Sequence, residues 1–215
     1  GRNGAGKSTL TKLISGLYEP EAGEIRFGGM PASSAAGRGL VSSVAIMNQD
    51  ALRLPLDVRM NVTLGAPASD DEVWEALTLA GLGEAFRQRG ITLSTPLWST
   101  TGATDLSGGQ WQRLTLARAI LSARRGKRVL ILDEPTSQYD VRGEAEFYNT
   151  VMAGLPGVTV VLITHRLSTV RRADRIALLE DGAISEIGSH QQLMRLGGGY
   201  AAMFRAQADR FREIE

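Results

Sequence analysis

Val129-Leu130-Ile131-Leu132-Asp133-Glu134 reads as a strand that ends in two carboxylates. An unbroken apolar run, with no alternation, is the pattern of a strand buried on both faces, as in parallel sheets covered by helices. Ligands of open α/β sheets bind outside the carboxyl ends of the strands. Asp133 and Glu134 therefore stand where a ligand is expected. Working outward, Val158 to Thr164 is a second run of this kind, with His165 directly after it. Leu40 to Met47 is a third, leading into Asn48-Gln49-Asp50. From Ala51 to Arg125 the periodicity is that of helices. The chain thus reads as α/β, with a mostly helical insertion between two strands of the main sheet.

Gly1-Arg2-Asn3-Gly4-Ala5-Gly6-Lys7-Ser8-Thr9 matches a glycine, four residues, then Gly-Lys-Ser. This is the P-loop pattern, and each residue type has a reason. The glycines let the backbone curl so that successive N–H groups face a β-phosphate. Lys7 reaches the β- and γ-phosphates as a point charge, and the Ser8 hydroxyl is a ligand for Mg²⁺. Leu10, Leu13, Ile14 and Leu17 follow at helical spacing, so the loop feeds a helix that Gly16 and Pro20 end. With a P-loop present, Asp133 is placed to hold Mg²⁺, through water, and Glu134 to polarise the attacking water as a general base. His165, at a strand end of the same sheet, is read as a γ-phosphate contact. Gln49 is left open between a metal or water ligand near that phosphate and an ordinary surface residue. The motif should follow a β-strand, so a chain opening on Gly1 is expected to be truncated at its N-terminus.

Leu106-Ser107-Gly108-Gly109-Gln110 is a further stretch of phosphate-binding character. A serine and two glycines precede an apolar-periodic run from Trp111 to Leu121, which predicts a helix beginning at Ser107. Open N–H groups and the positive end of a helix dipole suit an anion there.

The remaining elements follow from local signals. Glu24 to Phe27 alternates like a short strand closed by Gly28-Gly29, and Pro31 to Gly39 reads as a loop. Ser69, Asp70 and Asp71 start a helix running to Gly81, with Gly81 and Gly83 as its stop. Trp74 and Trp98 read as core or interface residues, and 94–104 as a loop. Arg142 to Leu155 is a helix with Ala145, Tyr148, Met152 and Leu155 on one face. Arg175 to Leu179 and Ala183 to Ile187 form a hairpin across Asp181-Gly182. A helical tail holds Leu193, Met194, Tyr200, Met203 and Phe204, with His190 as a helix-start residue.

The 215 residues suit one α/β domain with an inserted subdomain, and 43% hydrophobic content supports a core. A net charge of +1 gives no basic field for nucleic acid. The absence of cysteine excludes disulfides and thiolate metal sites. No apolar run reaches membrane-spanning length.

The ordered motifs resemble those of the nucleotide-binding domain of ABC transporters over essentially the whole chain. The resemblance implies a P-loop NTPase fold: a RecA-like parallel-sheet core over 1–50 and 126–215, with a helical signature subdomain over 51–125. It makes Gly1 to Thr9 the Walker A motif, Gln49 the Q-loop, Leu106 to Gln110 the signature, Val129 to Glu134 the Walker B strand with the catalytic glutamate, Asp140 the D-loop aspartate and His165 the H-loop. By the same resemblance ATP is bound by Gly1, Arg2, Asn3, Gly4, Ala5, Gly6, Lys7, Ser8, Thr9, Gln49, Ser107, Gly108, Gly109, Gln110 and Asp140. Mg²⁺ is held by Ser8, Gln49 and Asp133.

The stretches His165 to Ile176 and Gly188 to Leu193 are similar to the exporter branch. That implies a domain fused behind a transmembrane domain, at the cytoplasmic face of the cell membrane. It also implies pairing with a second nucleotide-binding domain, so that Walker A of one faces Ser107 and Gly109 of the other. A soluble ABC-type ATPase acting on DNA or ribosomes, or an importer subunit, is the alternative. Three departures stand out. Ser137-Gln138-Tyr139-Asp140 replaces the usual Ser-Ala-Leu-Asp, Trp111 follows the signature where a charge is common, and Thr100 to Asp105 lacks an acidic Gly-Glu pattern. The first strands and the adenine-stacking aromatic fall outside the chain, so the fragment alone is expected to fold poorly and bind ATP weakly.

Overall fold

A computed structural model describes residues 4–97, 105–136, 139 and 141–212. In chain order, α1 (Lys7–Ile14) precedes a small hairpin of β1 (Arg26–Phe27) and β2 (Met30–Pro31). Then come α2 (Ala35–Val41), β3 (Val44–Met47), α3 (Val58–Thr63), α4 (Asp70–Leu79), α5 (Gly83–Gln88) and α6 (Gly108–Arg124). The chain continues with β4 (Val129–Asp133), α7 (Val141–Gly154), β5 (Thr159–Ile163) and α8 (Leu167–Val170). It closes with β6 (Ile176–Glu180), β7 (Ala183–Gly188), α9 (His190–Leu196) and α10 (Gly199–Arg212). The residues group into two compact units, 1–19 with 163–215, and 20–162.

In the 20–162 unit the sheet has the order β3-β4-β5. β3 runs parallel to β4 in the register Val44↔Val129 through Met47↔Leu132. The central position of β4 explains its unbroken apolar run, for Leu130 and Ile131 are fully buried and Leu132 nearly so. β5 is half-buried along most of its length, not enclosed on both faces as Val158 to Thr164 had suggested, because it takes the outer place in this order. The four helices α3 to α6 separate β3 from β4 in the chain.

The helix predicted from Ser107 is α6, which extends three residues beyond its apolar run at each end. Ten of its seventeen residues are buried, so it is an internal helix with little solvent face. Trp111, Leu114, Leu116, Ala117 and Ile120 have no exposure at all. Arg118 crosses to α3 by donating from Nε to the Asn61 carbonyl at 2.7 Å, and burial lowers its pKa. α4 begins as its sequence predicts. The Ser69 hydroxyl accepts from the Glu72 N–H at 3.2 Å, and the Glu72 carboxylate accepts from the Ser69 N–H at 2.8 Å.

Four local expectations are corrected. The stretch Pro31 to Gly39 is not all loop: Ala35 to Val41 is helical, and Ser34 caps it by accepting from the Gly37 N–H at 3.0 Å. Leu40 and Val41 belong to this helix, so β3 starts only at Val44. A Cβ at Gly37 would lie 1.9 Å from the Pro31 carbonyl oxygen, so glycine is required there for close approach. Gly83 does not stop α4; Gly81, at φ +74°, does so, and Gly83 opens α5. The buried face of α7 carries Glu144, Phe147, Val151 and Leu155, while Ala145, Tyr148 and Met152 are half-buried. The strand expected over Glu24 to Phe27 shrinks to Arg26–Phe27, paired across Gly28-Gly29 with Phe27↔Met30. Trp74 is half-buried, with the Arg87 guanidinium 4.8 Å from its ring centre. Trp98 and residues 98–104 lie outside the described residues.

In the other unit, β6 and β7 pair antiparallel around Asp181-Gly182, both at positive φ, as a tight hairpin requires. Ile176, Leu178, Leu193 and Tyr200 form its buried cluster. Ser189 and Gln192 make a capping box at the start of α9, and His190 opens that helix, as expected. The His190 Nδ1 lies 2.8 Å from the Tyr200 hydroxyl.

Replacing Trp111 by alanine removes the largest fully buried side chain. The expected loss of stability is about 3–5 kcal/mol, read as a drop in the denaturant midpoint of unfolding.

Candidate nucleotide site

The phosphate loop lies in the 1–19 and 163–215 unit, and Gly1, Arg2 and Asn3 fall outside the described residues. Gly4 and Gly6 take φ of +81° and +97°, a region that L side chains avoid. Gly6 is the N-cap of α1 and supplies no side-chain cap, and the first turn of α1 carries no acidic residue. The N–H groups of Lys7, Ser8 and Thr9 thus open the helix at its positive dipole end, and its own first turn places no carboxylate there. Ser8 and Thr9 are exposed and Lys7 is half-buried. Ala5 is buried, and its carbonyl accepts from the Gly182 N–H at 3.2 Å. The β6–β7 turn thereby backs the loop. His165 belongs to the same unit, two residues beyond the end of β5, and is exposed.

The other predicted residues lie in the 20–162 unit. Met47 and Leu132 are in register, so β3 and β4 finish at the same sheet edge. Gln49, two residues past β3, is exposed, and Asp133, the last residue of β4, is half-buried. Ser8, Gln49 and Asp133 offer a hydroxyl, an amide oxygen and a carboxylate, the hard oxygen donors that Mg²⁺ prefers. Glu134 is only 8% exposed and takes φ +50°, left-handed for a residue with a side chain. A buried hydrogen bond holds it: Gln112 Nε2 donates to the Glu134 carbonyl at 2.9 Å.

The signature forms the start of α6. Ser107 is the N-cap; its hydroxyl accepts from the Gln110 N–H at 3.3 Å. The Gln110 Oε1 accepts from the Ser107 N–H at 3.0 Å and from Arg89 Nη1 at 3.4 Å. The Gln110 side chain is therefore folded back on its own helix start. Leu106 is buried and anchors the turn, while Gly108 is exposed and Gly109 half-buried. With no Cβ at either glycine, the backbone there is open to close approach.

Three residues near this site were not read as functional from sequence. Gln112 reaches Glu134, and the Arg113 guanidinium sits 4.4 Å from the Tyr139 ring centre while Arg113 Nη1 donates to the Gly81 carbonyl at 3.2 Å. Burial raises the pKa of the Tyr139 hydroxyl, against a smaller opposing pull from Arg113. The local signals were a glutamine inside an apolar helical run and the unusual tyrosine at position 139. Asp140 lies outside the described residues.

A glycine-capped helix start in one unit and, in the other, a parallel sheet whose central strand ends in Asp133, followed by Glu134, are the marks of a P-loop ATP-binding fold. Comparison with known proteins narrows this further. The ABC transporter family model matches residues 1–137. The ATP-dependent lipid A-core flippase of Burkholderia pseudomallei is 38% identical over 207 residues, which is 96% of this chain and 34% of the flippase. P-glycoprotein 14 of Caenorhabditis elegans is 35% identical over 208 residues, 96% of this chain and 15% of that protein. The structure of a bacterial Atm1-family ABC exporter with ATP bound matches with a TM-score of 0.85 and 31% identity, covering 96% of this chain and 36% of that one. The chain belongs to the ABC transporter family, as an ABC ATPase domain homologous to exporters, and it binds ATP. It spans about a third of the length of the flippase.

Gly6→Ala is expected to lower ATP affinity by about tenfold, because the loop must leave the φ that curls it. Gly29→Ala, at φ +82° in an exposed turn, carries similar strain and should leave ATP affinity unchanged. Calorimetric titration with ATP separates the two.

Proposed function

We propose that this chain is the motor of a membrane exporter, hydrolysing ATP to drive translocation by ATP-dependent pairing of two such domains. The observation that carries this reading is Glu134, a buried carboxylate in a left-handed turn directly after the central strand. A carboxylate withdrawn from bulk water and fixed by its backbone is suited to take a proton from an attacking water. Gly1 to Thr9 bind the phosphates, with Lys7 neutralising charge on the β- and γ-oxygens. His165 contacts the γ-phosphate. Ser8, Gln49 and Asp133 hold Mg²⁺, which when bound neutralises charge that develops on the transferring phosphoryl group.

Ser107, Gly108, Gly109, Gln110 and Asp140 serve the nucleotide of a second domain, so that closure completes each site. Residues 51–125 act as the signature subdomain, and 1–50 with 126–215 as the RecA-like core. Among the described residues no helix is long and apolar enough to cross a membrane. In the proposed transporter, membrane association comes through a transmembrane domain, with this domain at the cytoplasmic face. The exporter relatives support this assignment.

In the full-length transporter, Glu134→Gln should lower ATP turnover by about 10²–10⁴-fold while ATP binding persists. Equal turnover by variant and wild type would overturn the general-base role. Removal of Mg²⁺ by chelation should abolish turnover in the wild type.

A further inference from the structure

The loop after β4 is held at both ends by consecutive residues of one helix. At its start, Gln112 Nε2 donates to the Glu134 carbonyl at 2.9 Å in a buried bond. At its far end, the Arg113 guanidinium stacks 4.4 Å from the Tyr139 ring centre. Arg113 is itself oriented by donating to the Gly81 carbonyl at 3.2 Å. The Tyr139 ring is backed by Phe147 of α7, with ring centres 5.5 Å apart. Between these ends the Tyr139 N–H donates to the Thr136 carbonyl at 3.0 Å, and the Thr136 hydroxyl donates to buried Glu144 at 3.2 Å. Thr136 is thus tied to both Tyr139 and Glu144, and Glu134 and Tyr139 are each fastened to α6.

We propose that Gln112 and Arg113 are positioning residues which clamp Glu134 and Tyr139 to α6, so that any displacement of the signature helix carries the general base of the same chain with it. This rests on the reading of Glu134 as that base. Glu134 occupies a left-handed conformation that costs free energy, and such a residue keeps its place only where its surroundings over-determine it. One hydrogen bond to its carbonyl fixes translation but leaves rotation about that bond. The second fastening, at Tyr139, removes the rotation. Adjacent residues on a helix project about 100° apart, so Gln112 and Arg113 reach the two ends without a bend in α6. A leucine at position 139 could fill the space beside Phe147, but it presents no π face to a cation. The Arg113 contact is therefore specific to the tyrosine in Ser137-Gln138-Tyr139-Asp140.

The test is steady-state ATP turnover by the full-length transporter carrying Tyr139→Phe, Tyr139→Leu, Arg113→Met, or Tyr139→Leu with Arg113→Met, beside wild type and Glu134→Gln. The clamp predicts that Tyr139→Leu and Arg113→Met each lower kcat about tenfold, with KM for ATP changed less than about twofold, since geometry and not binding is lost. Tyr139→Phe keeps the ring face and should retain kcat within about twofold. The double variant should be no slower than the slower single one, because both break one contact. Unchanged kcat in Tyr139→Leu and Arg113→Met would overturn the clamp. So would multiplicative losses in the double variant, or a loss in Tyr139→Phe as large as in Tyr139→Leu. Should Arg113→Met fail to fold, Arg113→Lys takes its place: the cation remains near the ring but loses its planar stacking, and a kcat loss at constant KM is again required. Glu134→Gln with wild-type turnover would fell the general-base reading and the clamp together. Loss in Glu134→Gln with none in the clamp variants fells the clamp alone.

Discussion

Burial of α6 is the constraint on which the 20–162 unit depends. Trp111, Leu114, Leu116, Ala117 and Ile120 have no exposure, and side chains so enclosed leave a helix little freedom to slide or rotate. Fixing the rotation of α6 also fixes the direction in which its start faces and the places where Gln112 and Arg113 emerge. The direction of the Ser107 helix start and the support of Glu134 and Tyr139 are therefore settled by the same packing. The ion pair between Arg124 and Glu75, at 2.8 Å and partly exposed, adds little to this. The apolar face carries the work.

In the proposed function two helix starts take part in phosphate recognition, and they are built differently. α1 begins on Gly6, whose lack of a side chain leaves the first-turn N–H groups to a ligand. α6 begins on Ser107, whose hydroxyl already occupies the Gln110 N–H. The first suits a deep, many-donor grip on a polyphosphate. The second suits a lighter contact through the hydroxyl and the glycine backbone, one that can be made and released. Free energy follows the number of N–H groups offered.

Much of this was legible in the chain because the governing signals are local. The apolar run of β4, the glycine spacing of the phosphate loop and the Ser107 cap each act within a few residues, and the structure places a strand, a glycine-capped helix start and a capped helix there. The misreadings have local causes too. Gly37 and Gly39 lower helix propensity enough to hide α2, which packing on Pro31 then restores. Gly83 looks like a helix stop because a glycine carries no sign of direction. On α7 the buried face carries Phe147, while Ala145, Tyr148 and Met152 are half-buried. What sequence could not show is long-range: Gln112 and Glu134 stand 22 residues apart, and no periodicity announces that pairing. Tyr139 could be marked as unusual, but its partner could not be named.

The left-handed turn at Glu134 has an evolutionary side. Only glycine, asparagine and aspartate enter that region of backbone space readily, and β-branched residues are effectively barred. A lineage that discards the acid here while keeping the fold therefore has few doors to leave by. Drift at this position is channelled by backbone shape as well as by chemistry. Descendants of such a domain that have given up turnover should carry a small or amide-bearing residue there more often than a valine or isoleucine.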